Sequence, residues 1–143
     1  MFHMQNYDSL KLKNQLCFPL YACSKEITRQ YREFLEPLDL TYTQYIVLMV
    51  LWEYNECSVK SLGDILYLDS GTLTPVLKTL EKKGFVTRRR FTKDERVLIA
   101  TITDAGLALR DEVLKFPRVE AINSKLTSDE TAELYRILYK LLK

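Results

Sequence analysis

After Gly84 the sequence stops repeating at three and four, and that change of period limits the fold more than any other feature. Phe85 to Arg90 and Val97 to Thr103 are short runs carrying β-branched residues, separated by the polar stretch Thr92-Lys93-Asp94-Glu95. That is the pattern of a β-hairpin. On both sides of it apolar residues recur with helical spacing. One hairpin set among helices leaves no βα sheet scaffold.

The helices can be placed from their stripes and their ends. Leu20, Ile27, Tyr31, Phe34, Leu35 and Leu38 predict a helix over Cys17 to Leu38 with one apolar face. Pro19 puts its start near Phe18, because proline is tolerated only in the first turn, where its missing N–H would have had no partner. Thr43 to Tyr54 holds the longest apolar run, Tyr45 to Trp52, and reads as a buried second helix. A short third fits Val59 to Leu66, entered from Ser58. Asp69 and Ser70 cap a fourth that runs to Lys83 and stops at Gly84, with Pro75 bending it slightly. Thr103 caps a fifth ending near Phe116, where Pro117 breaks it. Thr127-Ser128-Asp129-Glu130 is a capping box for a sixth, Ser128 to Leu142, striped by Leu134, Ile137, Leu138, Leu141 and Leu142. The order predicts a mainly α fold with a small β-hairpin wing, a winged helix-turn-helix.

Composition narrows the class. The chain has 143 residues, 47% hydrophobic and 28% charged, which is enough apolar material for one ordinary domain and too much for a disordered one. No apolar run approaches the ~20 residues of a membrane-spanning helix, and no N-terminal stretch reads as an export signal. Three cysteines without a CxxC spacing, and one histidine, His3, disfavour a structural zinc site and a disulfide framework. The expectation is a cytoplasmic protein with reduced thiols, no metal, no cofactor and no membrane partner.

The net charge of +2 hides a segregation. Residues 78 to 96 hold Lys78, Lys82, Lys83, Arg88, Arg89, Arg90, Lys93 and Arg96 against Glu81, Asp94 and Glu95, so the rest of the chain is net acidic. A compact basic segment matches the footprint of a phosphate-binding surface; on charge alone a solvated face would look the same. Ser70, Thr72 and Thr74 are short donors and acceptors for phosphates and base edges, Gly71 allows close approach, and Pro75 offers an apolar surface to a thymine methyl. Lys78, one turn beyond Thr74, reaches a phosphate. Arg88, Arg89, Arg90, Lys93 and Arg96 would form the wing's contact with a minor groove. The terminal helices have apolar faces with no intrachain sheet to cover. Their stripes pair with each other or with a second copy, and a twofold homodimer gives two reading heads for a palindromic double-stranded operator.

Three stretches carry a family resemblance: LCFPLYACSKEI at 16–27 with LTYTQYIVL at 40–48, YLDSGTLTPVLKTLEKKGFVTR at 67–88, and KDERVLIATITDAG at 93–106. Together, over about residues 12 to 140, they resemble the thiol-based peroxide-sensing branch of the MarR family of winged-helix regulators. The resemblance implies a single MarR-type domain over 1–143, with a DNA-binding core at about 43–103 and dimerisation helices at about 7–38 and 104–143. It implies that the helix opened by Asp69 and Ser70 is the recognition helix, and that Asp69 pairs with Arg96 to brace the wing.

It also implies a redox sensor. Cys17 lies at the amino end of the first helix, where partial positive charge favours a thiolate. Tyr31 and Tyr42 match the family tyrosines whose hydroxyls hydrogen-bond the reactive sulfur across the dimer interface. Peroxide would oxidise Cys17 to a sulfenic acid. Two-cysteine members carry a resolving cysteine in the C-terminal helices; this chain has none after Cys57, which implies a mixed disulfide between Cys17 and a low-molecular-weight thiol. Cys23, about 600° further round the helix, faces away from Cys17, and it and Cys57 read as packing residues. Other readings stay open on the residues alone. Cys17 could be a small buried hydrophobe. The chain could be a MarR-type regulator released by a small aromatic ligand, a thiol peroxidase, or a protein-only interaction module. The helix-and-hairpin scaffold argues against an enzyme, and the basic segment against the interaction module.

Overall fold

The computed structural model describes residues 6–116 and 125–143; His3 and the break expected at Pro117 lie outside them. The chain divides into two compact units, Phe34–Arg118 and Met1–Glu33 with Val119–Lys143.

The Phe34–Arg118 unit begins at the end of α1 (Cys17–Leu35). The α-helix stops at Leu35 and tightens into a 3-10 turn over Glu36–Leu38, short of the expected helical end. Pro37 has no N–H with which to continue the α ladder. Asp39 then turns the chain through a left-handed conformation (φ 53°) into α2 (Tyr42–Tyr54). A capping box opens α2: Thr41 accepts from the Gln44 N–H while the Gln44 side chain accepts from the Thr41 N–H. Then follow β1 (Glu56–Ser58), α3 (Val59–Leu66), α4 (Ser70–Lys82), β2 (Val86–Phe91), β3 (Asp94–Ile102) and α5 (Asp104–Leu114). Ser58, Asp69 and Thr103 each cap the helix that follows them through a side-chain oxygen.

The ending of α4 explains the change of period. Gly84 has φ +82°, and the Phe85 N–H bonds the Leu80 carbonyl while the Gly84 N–H bonds that of Glu81. This is a Schellman closure, which requires a left-handed residue that glycine supplies without a Cβ clash. The chain leaves it directly as a strand. The hairpin turns on Thr92 and Lys93 alone, so Asp94 and Glu95, expected in the turn, belong to β3. The sheet has a third strand that the sequence pattern does not reveal: β1 pairs antiparallel with β3 in the order β1-β3-β2. So short a segment offers no alternation to detect.

The core lies wholly within this unit. Leu35, Leu40, Val47, Leu48, Val50, Leu51, Leu62, Leu73, Leu77, Leu80, Val86, Ala100 and Ile102 are buried. Because α2 is covered on several sides, its apolar run carries no polar stripe. Lys83 ties the end of α4 to the turn before α2, its ammonium donating to the Asp39 backbone carbonyl and lying 3.3 Å from both Asp39 Oδ2 and Gln44 Oε1. Helix α5, placed by the sequence reading among the dimerisation helices, packs here. Trp52 Nε1 donates to the Gly106 carbonyl at 2.8 Å.

The other unit holds most of α1 and α6 (Ser128–Leu142), which opens with the expected Thr127–Glu130 capping box. No residue of α6 is buried, and Leu134, Ile137, Leu138, Leu141 and Leu142 are exposed, as are Leu16, Phe18 and Leu20 of the amino-terminal segment.

Gly106 is buried where α5 meets the end of β3. A Cβ there would collide with the Phe85 carbonyl and lie 2.6 Å from Ile102 Cδ1. Gly106→Ala should therefore destabilise the fold by about 1–3 kcal/mol through overpacking. A chemical-denaturation midpoint equal to that of the wild type would show that α5 shifts freely.

Candidate nucleic-acid interface

Helix α4 has one buried and one open face. Leu73, Leu77 and Leu80, at i, i+4 and i+7, are fully buried, which at 3.6 residues per turn directs Gly71, Pro75, Lys78 and Lys82 outward. Ser70, Gly71, Thr72, Pro75 and Lys78 are exposed and Thr74 is half-buried, so the predicted reading residues lie together around one helix. Asp69 caps it, Oδ1 accepting from the Thr72 N–H at 2.7 Å. Lys82 is exposed on the same face as Lys78 and was not singled out from the sequence; its place follows once the leucine stripe is known.

On the hairpin the arginines divide. Arg90 is exposed beside the turn, and Lys93 is exposed in the turn itself. Arg89 reaches across the sheet to Glu56 Oε2 at 3.2 Å, and Glu56 also accepts from the Thr101 hydroxyl. Arg88, expected at the DNA, turns instead towards α4. Its Nη2 lies 3.2 Å from Glu81 Oε1, its Nε and backbone N–H meet Glu81 Oε2 at 3.3 and 3.0 Å, and its side chain is only 19% exposed. A guanidinium so held has little reach for a phosphate. Glu81, which the sequence gave no reason to select, is held below the ordinary carboxylate range by the Arg88 hydrogen bonds.

The expected Asp69–Arg96 brace is not the pairing found. Asp69 is engaged as the α4 cap, and Arg96 bonds Asp94 on its own strand, with Nε to Oδ1 at 3.1 Å and the backbone N–H to the same oxygen. A bond to a carboxylate two residues away orders less chain than one reaching another element. Arg96 remains 91% exposed and open to solvent. The contact that joins wing to α4 is Arg88–Glu81.

The candidate sensing residues lie in both units. Cys17 is exposed at the first residue of α1, a helix with no acidic residue in its first turn. Tyr31 is half-buried on the same helix, and at 1.5 Å rise per residue it lies about 21 Å along the axis from Cys17, so it does not reach the thiol of its own chain. Tyr42 is half-buried at the first residue of α2. Cys23 is exposed. Cys57 is half-buried opposite Ala100 in the sheet; burial pushes its thiol up, partly offset by a hydrogen bond with Ser61.

Comparison with known proteins agrees with this arrangement. The family model described as transcriptional regulator SarA/Rot matches residues 29–113. The organic hydroperoxide resistance transcriptional regulator of Bacillus subtilis is 44% identical over 141 residues, covering 98% of this chain and 96% of its own. Reduced AbfR bound to DNA superposes with a TM-score of 0.77 at 41% identity over 94% of both chains, and overoxidized AbfR is also solved on DNA. A mutant of MarR from E. coli complexed with operator DNA gives a TM-score of 0.82 at 28% identity, over 90% of this chain and 94% of its own.

The lowered Glu81 carboxyl has a consequence for acid stability. Its folded-state value lies below the ordinary 4.5, so its contribution is present above that value and lost as pH falls through the lowered one. Melting temperature should fall more steeply on acidification below about pH 4.5 in wild type than in Glu81→Gln. Parallel curves would show that the carboxylate contributes nothing.

Proposed function

The chain belongs to the MarR family of winged-helix transcriptional regulators, and from that membership we propose that it is a homodimer that binds a palindromic double-stranded operator, senses organic hydroperoxide through Cys17 and then releases the DNA. The observation that carries the sensing reading is Cys17 itself, exposed at the amino end of α1 in a chain 44% identical to a regulator of organic hydroperoxide resistance.

In this reading α4 enters the major groove with Ser70, Gly71, Thr72, Thr74 and Pro75 at base edges and Lys78 on the backbone, while Arg90, Lys93 and Arg96 reach the adjacent minor groove. The winged core at about 43–103 reads, and α1, α5 and α6 hold the dimer. The support for a dimer is the apolar face of α6 with no buried residue, more exposed hydrophobic surface than a lone helix keeps in water. Because Tyr31 cannot reach Cys17 within one chain, its phenol would serve the thiol of the second copy, together with Tyr42. The protein would act beside the genomic DNA, in the cytoplasm; among the described residues no helix is long and apolar enough to cross a membrane.

The chemistry balances without a cofactor. The Cys17 thiolate attacks the distal peroxide oxygen, the O–O bond breaks, and the alkoxide takes a proton to leave as an alcohol. The resulting sulfenic acid condenses with a low-molecular-weight thiol, forming the mixed disulfide and water. That overoxidized AbfR is solved on DNA favours the disulfide, rather than added oxygen alone, as the releasing form here.

The test is an operator titration of reduced and peroxide-treated protein with a small thiol present. Wild type should release, Cys17→Ser should bind equally in both states, and Cys23→Ser and Cys57→Ser should behave as wild type. A Cys17→Ser protein that still dissociates on oxidation would overturn the mechanism, and release by a small aromatic ligand without oxidation would favour ligand sensing instead. Arg90→Ala or Lys93→Ala should weaken all sequences alike and flatten the salt slope by about one, whereas Thr72→Ala or Thr74→Ala should relax discrimination between sites. Light scattering should give twice the chain mass at micromolar concentration.

A further inference from the structure

The wing and the recognition helix are joined by a tight turn. Its left-handed Gly84 lets α4 run into β2 with only Phe85 between Lys83–Gly84 and the strand. A duplex can be gripped in both grooves only if the hairpin leaves α4 at one angle, so something must set that angle.

On the core side Leu80 and Val86 are buried. The Thr103 hydroxyl also bonds the Gly84 carbonyl. On the outer side the one contact across the turn that involves charge is Glu81 with Arg88. It is unlike the hairpin's other ion pairs: both carboxylate oxygens are used, the partner gives its backbone N–H as well as its guanidinium, and the arginine is 19% exposed against 49% for Arg89 and 91% for Arg96. A two-oxygen fork on a guanidinium fixes direction as well as distance. Binding of the backbone N–H pins the strand itself rather than a flexible side chain.

We propose that Glu81 and Arg88 are a positioning pair that sets the angle of the wing on the recognition helix, so that operator recognition depends on both although neither contacts DNA. The proposal rests on the DNA-binding reading above. It removes Arg88 from the phosphate-directed set and gives an acidic residue, which phosphate would repel, a part in recognition.

The test measures binding of full-length reduced protein to its operator and to unrelated duplex over a salt series, for Glu81→Gln, Arg88→Met and the double variant, with Arg90→Ala as the reference for a lost phosphate contact. Each single variant should lower the ratio of operator to non-specific affinity by about tenfold while leaving the salt slope at the wild-type value, and the double should lose no more than either alone. Arg88→Lys, which keeps the charge but not the fork, should fall between wild type and Arg88→Met. Circular dichroism confirms that each variant is folded at the assay temperature; a pair that served stability alone would lower the melting temperature and leave the affinity ratio unchanged. A salt slope reduced by Arg88→Met as by Arg90→Ala, additive losses, or an unchanged ratio would each overturn the proposal. If wild type itself binds no duplex, the DNA-binding reading fails and this pair's role with it; if wild type binds and the variants discriminate equally well, only the positioning role fails.

Discussion

The rotation of α4 about its own axis is the setting on which the interface depends, and three leucines hold it. Leu73, Leu77 and Leu80 are each fully buried, and a buried leucine contributes about 1.5–3 kcal/mol relative to an exposed one. Turning the helix by one residue, 100°, would bring that stripe towards water and put Thr74 or Lys78 into the core. The outward face carries no comparable constraint. Its small and hydroxylated residues can therefore be chosen for what they meet rather than for folding, and the same core that fixes the helix also fixes which residues any duplex would meet.

Charge in the basic segment is sorted by a similar logic. Lys83, Arg88 and Arg89 meet carboxylates of the same unit, and their tasks are to close a turn, hold a hairpin and link two strands. Lys78, Lys82, Arg90 and Lys93 are exposed and lie outside the ion pairs that the described residues form. An exposed pair between flexible side chains contributes little to stability, so the functional weight of the paired arginines is geometric. Phosphate attraction falls to the exposed set.

Much of this was legible in the residues. Ser58, Asp69, Thr103 and Thr127 announce four helix starts because capping chemistry is local, and Gly84 announces a stop because only a left-handed residue closes that end. What escaped is non-local or too short. Strand β1 is defined by its partners on β3 rather than by its own pattern. The close approach of Gly106 to Phe85, and its bond from Trp52, join positions far apart in sequence. Glu81 looked like one acid among many bases until the Schellman turn folded β2 back beside it. The Asp69–Arg96 brace came from family resemblance, and the local competitors of both residues, the α4 cap and Asp94, are what the structure shows instead.

The two units differ in what holds them together, and that difference bears on how a sensor could work. The Phe34–Arg118 unit contains every buried apolar residue among those described, so its reading geometry is stable on its own account. The unit carrying Cys17 and α6 has no such core, and its apolar side chains stand exposed in one chain. Segments with few buried contacts have small opening free energies and are the ones that respond to small perturbations. A thiol-sized adduct on Cys17 would be trivial against the leucine core. It would weigh much more on a surface whose packing, in the proposed dimer, comes wholly from the second chain. Placing the reactive sulfur in the coreless unit lets oxidation change the spacing of two reading heads while each head keeps its fold.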